Sequence, residues 1–324
     1  NEHYIETHFD IETDDLDLLS TIASTEEPEL IHGSTEDYLE IRQFMSNNDM
    51  SIESNYEIAA GQYDVESLID YKISQTFVMN YDWPGNNNKL FKSKSAGGKW
   101  KHIMFDSDFG FERWADGALV FIGSYENYNM LDHVYGNGNV FNNPVWSTVI
   151  FTSFLDNLGF RNQFINTYCD RINTTYDTEN TTYLIDSLKS VVAPYVSDHI
   201  SRYGPSPYDS YTPNTLEEYN SAIQRMYDFA AYRPDNAMNE MVELFGLEGS
   251  TNTITLFMND PEAGHIELNS LSINQQWWTG EYFSDIPVSV KAVPEFGFEF
   301  SHWANHPSYG DSVSLLIDDN MTMM

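Results

Sequence analysis

The sequence predicts an α+β chain: a mostly helical body over about residues 1–248, followed by a small all-β domain over about 250–324. Three observations carry this. From Trp146 to Leu247 apolar residues recur at helical spacing almost without interruption, after Gly249 helical spacing gives way to short strand-like runs, and 41% hydrophobic with 15% aromatic residues is enough for a packed core.

The elements follow in order. Glu36 to Met45 carries Tyr38, Ile41 and Met45 on one helical face, with Ser34 as the expected N-cap. Asp10, Glu12, Asp14, Asp15 and Asp17 lack the glycine and closing glutamate of a calcium loop and read as a solvated acidic turn. Val65 to Met79 predicts a buried helix through Leu68, Ile69, Ile73 and Phe77. Asn80 to Asn88 is a polar loop with Pro and Gly, and Lys89–Ser93 and Lys99–Phe105 predict a hairpin around Ala96-Gly97-Gly98. Gly110 to Pro144 reads as a long irregular excursion. Helices are expected over 146–158, 161–173, 180–203, 216–233 and 235–245, the last two divided at Pro234. Strands are expected over 253–258, 266–268, 288–293 and 298–303. Trp277-Trp278 and Tyr282-Phe283 read as β-domain core, with a carbohydrate-facing patch as the rival.

Charge narrows the function. Fifty acidic against fifteen basic side chains give −35, a surface that repels nucleic acid and anionic membranes and suits a saline or extracellular medium. No run approaches the roughly 18–20 apolar residues of a membrane span. Cys169 alone permits neither an intrachain disulfide nor a cysteine zinc site, and its helical apolar setting makes it a core residue. The histidines show no metal-protease spacing. Both ends look cut, so the sequence reads as a piece of something longer.

One constellation carries chemistry. Phosphoryl transfer needs a carboxylate at the attacking hydroxyl, an amide and an acid holding magnesium against the phosphates, and cations for the phosphate charge. Asp82 is followed five residues later by Asn87; a hairpin follows, then Asp106-Ser107-Asp108-Phe109-Gly110. Five of the fifteen basic residues, Lys89, Lys92, Lys94, Lys99 and Lys101, lie in that hairpin region.

Asn80 to Lys89, Gly98-Lys99-Trp100 and Phe105 to Phe111 resemble the signature of the CotH (spore-coat) kinase family. The resemblance extends through Tyr4–Leu19 and Gly33–Tyr38 upstream, and downstream through Asn142–Ser147 and Phe160–Ile165 to Phe245–Leu247. It implies a divergent protein-kinase-like fold and a secreted or cell-surface kinase that uses ATP and Mg2+ to phosphorylate serine on extracellular or surface proteins. On that resemblance Asp82 is the catalytic base or orienting acid, and Asn87 and Asp106 or Asp108 ligate magnesium; the concentration of positive charge in so acidic a chain makes Lys89 and Lys92 the expected partners of the nucleotide phosphates. The choice between Asp106 and Asp108 stays open. One departure stands out: no glycine-rich loop precedes the catalytic segment, and Arg42 is the single basic residue before Lys72. The expectation is that the phosphate-binding half lies upstream and that these residues alone do not transfer phosphate. The rival is a non-catalytic adhesion or assembly protein on a kinase scaffold. Gly280 to Trp303 is similar to small β-repeat modules of bacterial surface proteins, and the module looks truncated.

Overall fold

The computed structural model describes residues 2–21, 27–111, 128–136, 143–204, 213–308 and 310–324. The chain divides into two compact units, 1–160 with 182–236, and 161–181 with 237–324.

In the first unit, helix α1 (Glu2–Phe9) leads to β1 (Leu16–Thr21) and β2 (Glu29–His32). Helices α2 (Glu36–Asn47), α3 (Glu53–Gln62) and α4 (Val65–Phe77) follow, then β3 (Asn88–Ser93) and β4 (Lys101–Ile103). The four strands form one sheet in the order β2-β1-β3-β4, and each neighbouring pair is antiparallel. β1 buries Leu16, Leu18 and Leu19. Ile5, Leu16, Leu18 and Phe91 make one apolar cluster, with Ile11, Ile31 and Ile103 packed against it. The expected hairpin is present, with Lys89 opposite Ile103. The expected N-cap shifts by one: Thr35 takes that place, and Ser34 Oγ accepts from Glu36 N at 3.1 Å.

Helix α4 is as the periodicity predicts. It buries Leu68, Ile69, Ile73 and Phe77, each worth about 1.5–3 kcal/mol. Asp64 caps its N-terminus by accepting from Ser67 N at 3.0 Å. At the other end Arg233, fully buried, donates to the carbonyls of Thr76 and Phe77, both at 2.9 Å. A cation there satisfies carbonyls the helix cannot and complements its dipole.

Of the 110–144 excursion, the described part holds α5 (Met130–Tyr135); the rest lies mainly outside the described residues. Helices α6 (Val145–Asp156), α7 (Leu158–Ile172), α8 (Thr178–Tyr203) and α9 (Leu216–Phe245) follow. The expected division at Pro234 does not occur, and α9 runs through it. A proline removes only its own N–H from the helical ladder, and α9 continues past Pro234 as α8 does past Pro194.

The second unit joins most of α7, the start of α8 and the end of α9 to seven strands: β5 (Thr251–Phe257), β6 (Gly264–Leu268), β7 (Leu271–Ile273), β8 (Trp277–Phe283), β9 (Val288–Pro294), β10 (Ser312–Leu315) and β11 (Met321–Met323). They form two sheets, β10-β9-β6-β7 and β11-β5-β8. The helix and sheets meet on Asp170, which is fully buried. Its carboxylate accepts from Tyr282 Oη at 2.6 Å, Ser270 Oγ at 2.7 Å, Ser270 N at 2.9 Å and Asn269 Nδ2 at 3.2 Å. Burial raises its pKa, against the pull of these donors. Residues 298–303 form no strand; β10 takes the edge of β9 instead. Cys169 is buried, as expected.

Candidate active site

The site begins where α4 ends. Met79 has φ +55°, and Asn80 N bonds back to Gln75 O at 3.1 Å, so the chain leaves the helix sharply. The loop that follows is pinned from beneath. Trp83 is fully buried, and its Nε1 donates to Tyr71 Oη at 2.8 Å. From α5, His133 Nε2 lies 2.9 Å from the Trp83 carbonyl. A carbonyl only accepts, so Nε2 carries the proton, and Nδ1 accepts from Tyr128 Oη at 2.6 Å. Burial lowers the imidazole pKa to about 4, which keeps this link neutral at physiological pH.

The loop presents Asp82 to a cleft. Both carboxylate oxygens are held: Asn86 Nδ2 donates to Oδ1 at 2.9 Å and Asn87 Nδ2 to Oδ2 at 3.1 Å. Asn87 adopts φ +56°, a left-handed conformation that asparagine tolerates better than most residues. Its Nδ2 also lies 3.3 Å from the Asp106 carbonyl. Asn80, fully buried, donates to Gln75 Oε1 at 2.9 Å and reaches the same Asp106 carbonyl at 3.4 Å. Two amides of the Asp82 loop therefore grip the backbone of the Asp106 turn.

That turn is itself constrained. Asp106 sits at φ +53°. Gly110 lies so close to the end of α4 that a β-carbon there would be 2.7 Å from the Val78 carbonyl, which meanwhile accepts from Phe111 N at 2.9 Å. Glycine is needed for this approach. The Asp-Phe-Gly run is thus fixed to the same helix end from which the Asp82 loop departs.

The Asp106 carboxyl is raised in pKa. Burial is the first cause, then the hydrogen bond and negative charge of Asp108 and the charge of Asp82; Lys89 pulls the other way. The Asp106 carboxyl therefore feels the negative charge of both Asp108 and Asp82. Mutually repelling hard oxygens beside an amide are a donor set that fits a divalent magnesium-like cation. Asn87 spends its nitrogen on Asp82 and the Asp106 carbonyl, which leaves its side-chain oxygen as the end able to accept or ligate. As arranged, no three His, Cys, Asp or Glu side chains among the described residues converge as a metal group.

The cleft measures about 480 Å³ and is lined by Ser20, Thr21, Glu29 and Ile31 from β1 and β2, with Asp82, Asn86, Asn87, Lys89 and Phe105. Its size is in the range of small-molecule sites. Lys89 Nζ lies over the Phe105 ring at 3.8 Å, a cation held beside the acids. The structure does not bring Lys92 here. Three positions from Lys89, it has the opposite parity on β3, and its Nζ bonds to Asp37 at 2.6 Å and Gln62 at 3.3 Å. Lys101 likewise pairs with Asp64 at 2.6 Å. Glu29 and the Ser20-Thr21 wall escaped sequence reasoning, since they are remote in sequence and carry no motif. Asn80 and Asn86 stood inside the motif, but only geometry gives them partners.

An acid held by two amides in a cleft with one lining lysine among the described residues, its loop tied to the backbone of the turn that carries Asp106 and Asp108, is an arrangement suited to phosphotransfer. Residues 19–237 match the family model described as CotH kinase protein. The match covers more than half of the chain, and the chain belongs to the CotH kinase family, which gives it a kinase-like function. The family is a spore-coat one, consistent with an extracellular or surface location. No curated protein and no solved structure matches the chain. Among the described residues no helix is long and apolar enough to cross a membrane.

Proposed function

We propose that the protein is a secreted or surface kinase that transfers the γ-phosphate of ATP to serine hydroxyls of extracellular or surface proteins. The observation that carries this reading is the bridging of the two turns: Asn80 and Asn87 both reach the Asp106 carbonyl while Asn87 also holds Asp82. Asp82 orients the acceptor hydroxyl and takes its proton. Asp106, Asp108 and the Asn87 carbonyl oxygen would hold magnesium, which when bound neutralises the phosphate oxygens. Lys89 supplies fixed positive charge at the cleft, and Phe105 holds it there. Asn86 and Asn87 keep Asp82 in one orientation, so no reorganisation is needed when the hydroxyl arrives. The β-strands after residue 250 are read as a surface-display module.

The test is incubation of the longest natural chain containing these residues with Mg-ATP and co-secreted proteins, scored as phosphoserine. Label is expected from the wild type and not from Asp82→Ala or Asp106→Ala. Normal labelling by both variants would refute the assigned roles. An inactive wild type that still binds surface partners would favour the adhesion reading.

A further inference from the structure

Helix α8 is apolar on the wrong side. Ile185 and Val196 are buried, as a helix packed on its own domain requires. Yet Tyr183, Leu184, Leu188, Val191, Val192 and Tyr195 are all more than half exposed, with Leu188 and Val191 at 67% and Tyr195 at 69%. Leu184, Leu188, Val191 and Tyr195 follow one another at intervals of four, three and four, the spacing of a helix–helix seam. The five on one face, all but Tyr183, leave roughly 550 Å² bare, at the upper end of what a monomer ordinarily shows in one patch and about two thirds of the ~800 Å² that each partner contributes to a standard stable interface.

Charge says what covers it. Between Asn180 and Ser197 the only charged side chains are Asp186 and Lys189, which cancel, whereas the chain as a whole carries −35. Both are turned to α9, where Lys189 Nζ donates to Tyr227 Oη at 3.3 Å and Tyr227 Oη donates to Asp186 at 2.5 Å. The stripe itself is uncharged. A basic partner is drawn to the acidic surface elsewhere, and gains nothing from this face. Two copies of so acidic a chain repel each other except across a neutral face. We infer that the exposed stripe of α8 is a self-association surface, occupied by the same helix of a second copy in a two-fold arrangement.

Sedimentation equilibrium of the chain at low and at about half-molar salt tests this. Salt screens the repulsion between the copies and leaves the apolar contact intact, so the dimer is expected to tighten as salt rises. An interface built on ion pairs would loosen. Leu188→Glu is expected to weaken association at least roughly a hundredfold, because each dimer buries two new charges. Leu188→Met should dimerise normally. Tyr195→Glu, at a more exposed position, gives the same reading should Leu188→Glu disturb folding, with circular dichroism as the control. A wild type that is monomeric at both salt levels overturns the inference, and so does a dimer that both glutamate variants leave unchanged.

Discussion

Replacing Lys72 by methionine should stabilise the protein near neutral pH, and the gain should vanish as pH rises. Lys72 lies on α4 beneath the Asp82 loop, 3% exposed, with its Nζ 4.5 Å from the Trp83 ring, 5.3 Å from Phe151 and 5.9 Å from Tyr71. Burial lowers the ammonium pKa from 10.5 to about 7. Between those values the native state binds fewer protons than the unfolded chain, so this group makes stability rise with pH across that window. The slope is at most about 1.4 kcal/mol per pH unit, which amounts to roughly 2–3 kcal/mol between about pH 7.5 and about pH 9.5. Lys72→Met keeps the length and apolar stem and removes the charge. It should therefore lead the wild type by a few kcal/mol at about pH 7, less the ~1–2 kcal/mol that the rings return to the cation. Denaturant unfolding of both proteins at the two pH values measures the difference. Cys169, whose buried thiol is pushed up in pKa, titrates alike in both and cancels. Parallel pH dependences would refute the reasoning, because they would mean that Lys72 is charged or neutral equally in both states.

Asp170→Ala should lower stability by about 2–4 kcal/mol, since it strands the Tyr282 hydroxyl and both Ser270 donors; a shift in denaturant midpoint below about 1 kcal/mol would contradict this. Gly110→Ala should cost about 1–3 kcal/mol and disturb metal binding, because its β-carbon meets the Val78 carbonyl; thermal melts and manganese titration measure both. Asn80→Ala, remote from the cleft mouth but bonded to the Asp106 carbonyl, should weaken divalent-metal affinity roughly tenfold, and unchanged affinity would remove Asn80 from the positioning network.

What sequence reveals here follows from periodicity. α4 was legible because one face carries its apolar residues, and the Asp82–Asn87 spacing and Asp-Phe-Gly run were legible as a pattern. β1 was not, because it is buried along nearly its whole length and so loses the alternation that marks a strand. α3 was not, because it buries only Ala59 and has no stripe. The aromatic alternation of 298–303 imitated a strand, but Trp303 instead turns inward and donates to the Gly310 carbonyl at 3.0 Å. Trp277 and Trp278 divide by strand parity, one 59% exposed and the other 9%. The same parity turns Lys92 away from Lys89, toward Asp37 and Gln62. Pro234 signalled a break, but the helix runs through it, as α8 does through Pro194.

Manganese binding followed by paramagnetic resonance, in salt concentrated enough to screen the −35 background, tests the metal role of Asp106 most directly. That role predicts one site in the wild type, affinity that rises with pH as the Asp106 carboxyl loses its proton, and a loss of at least roughly tenfold in Asp106→Asn. Equal affinity in wild type and Asp106→Asn would contradict it.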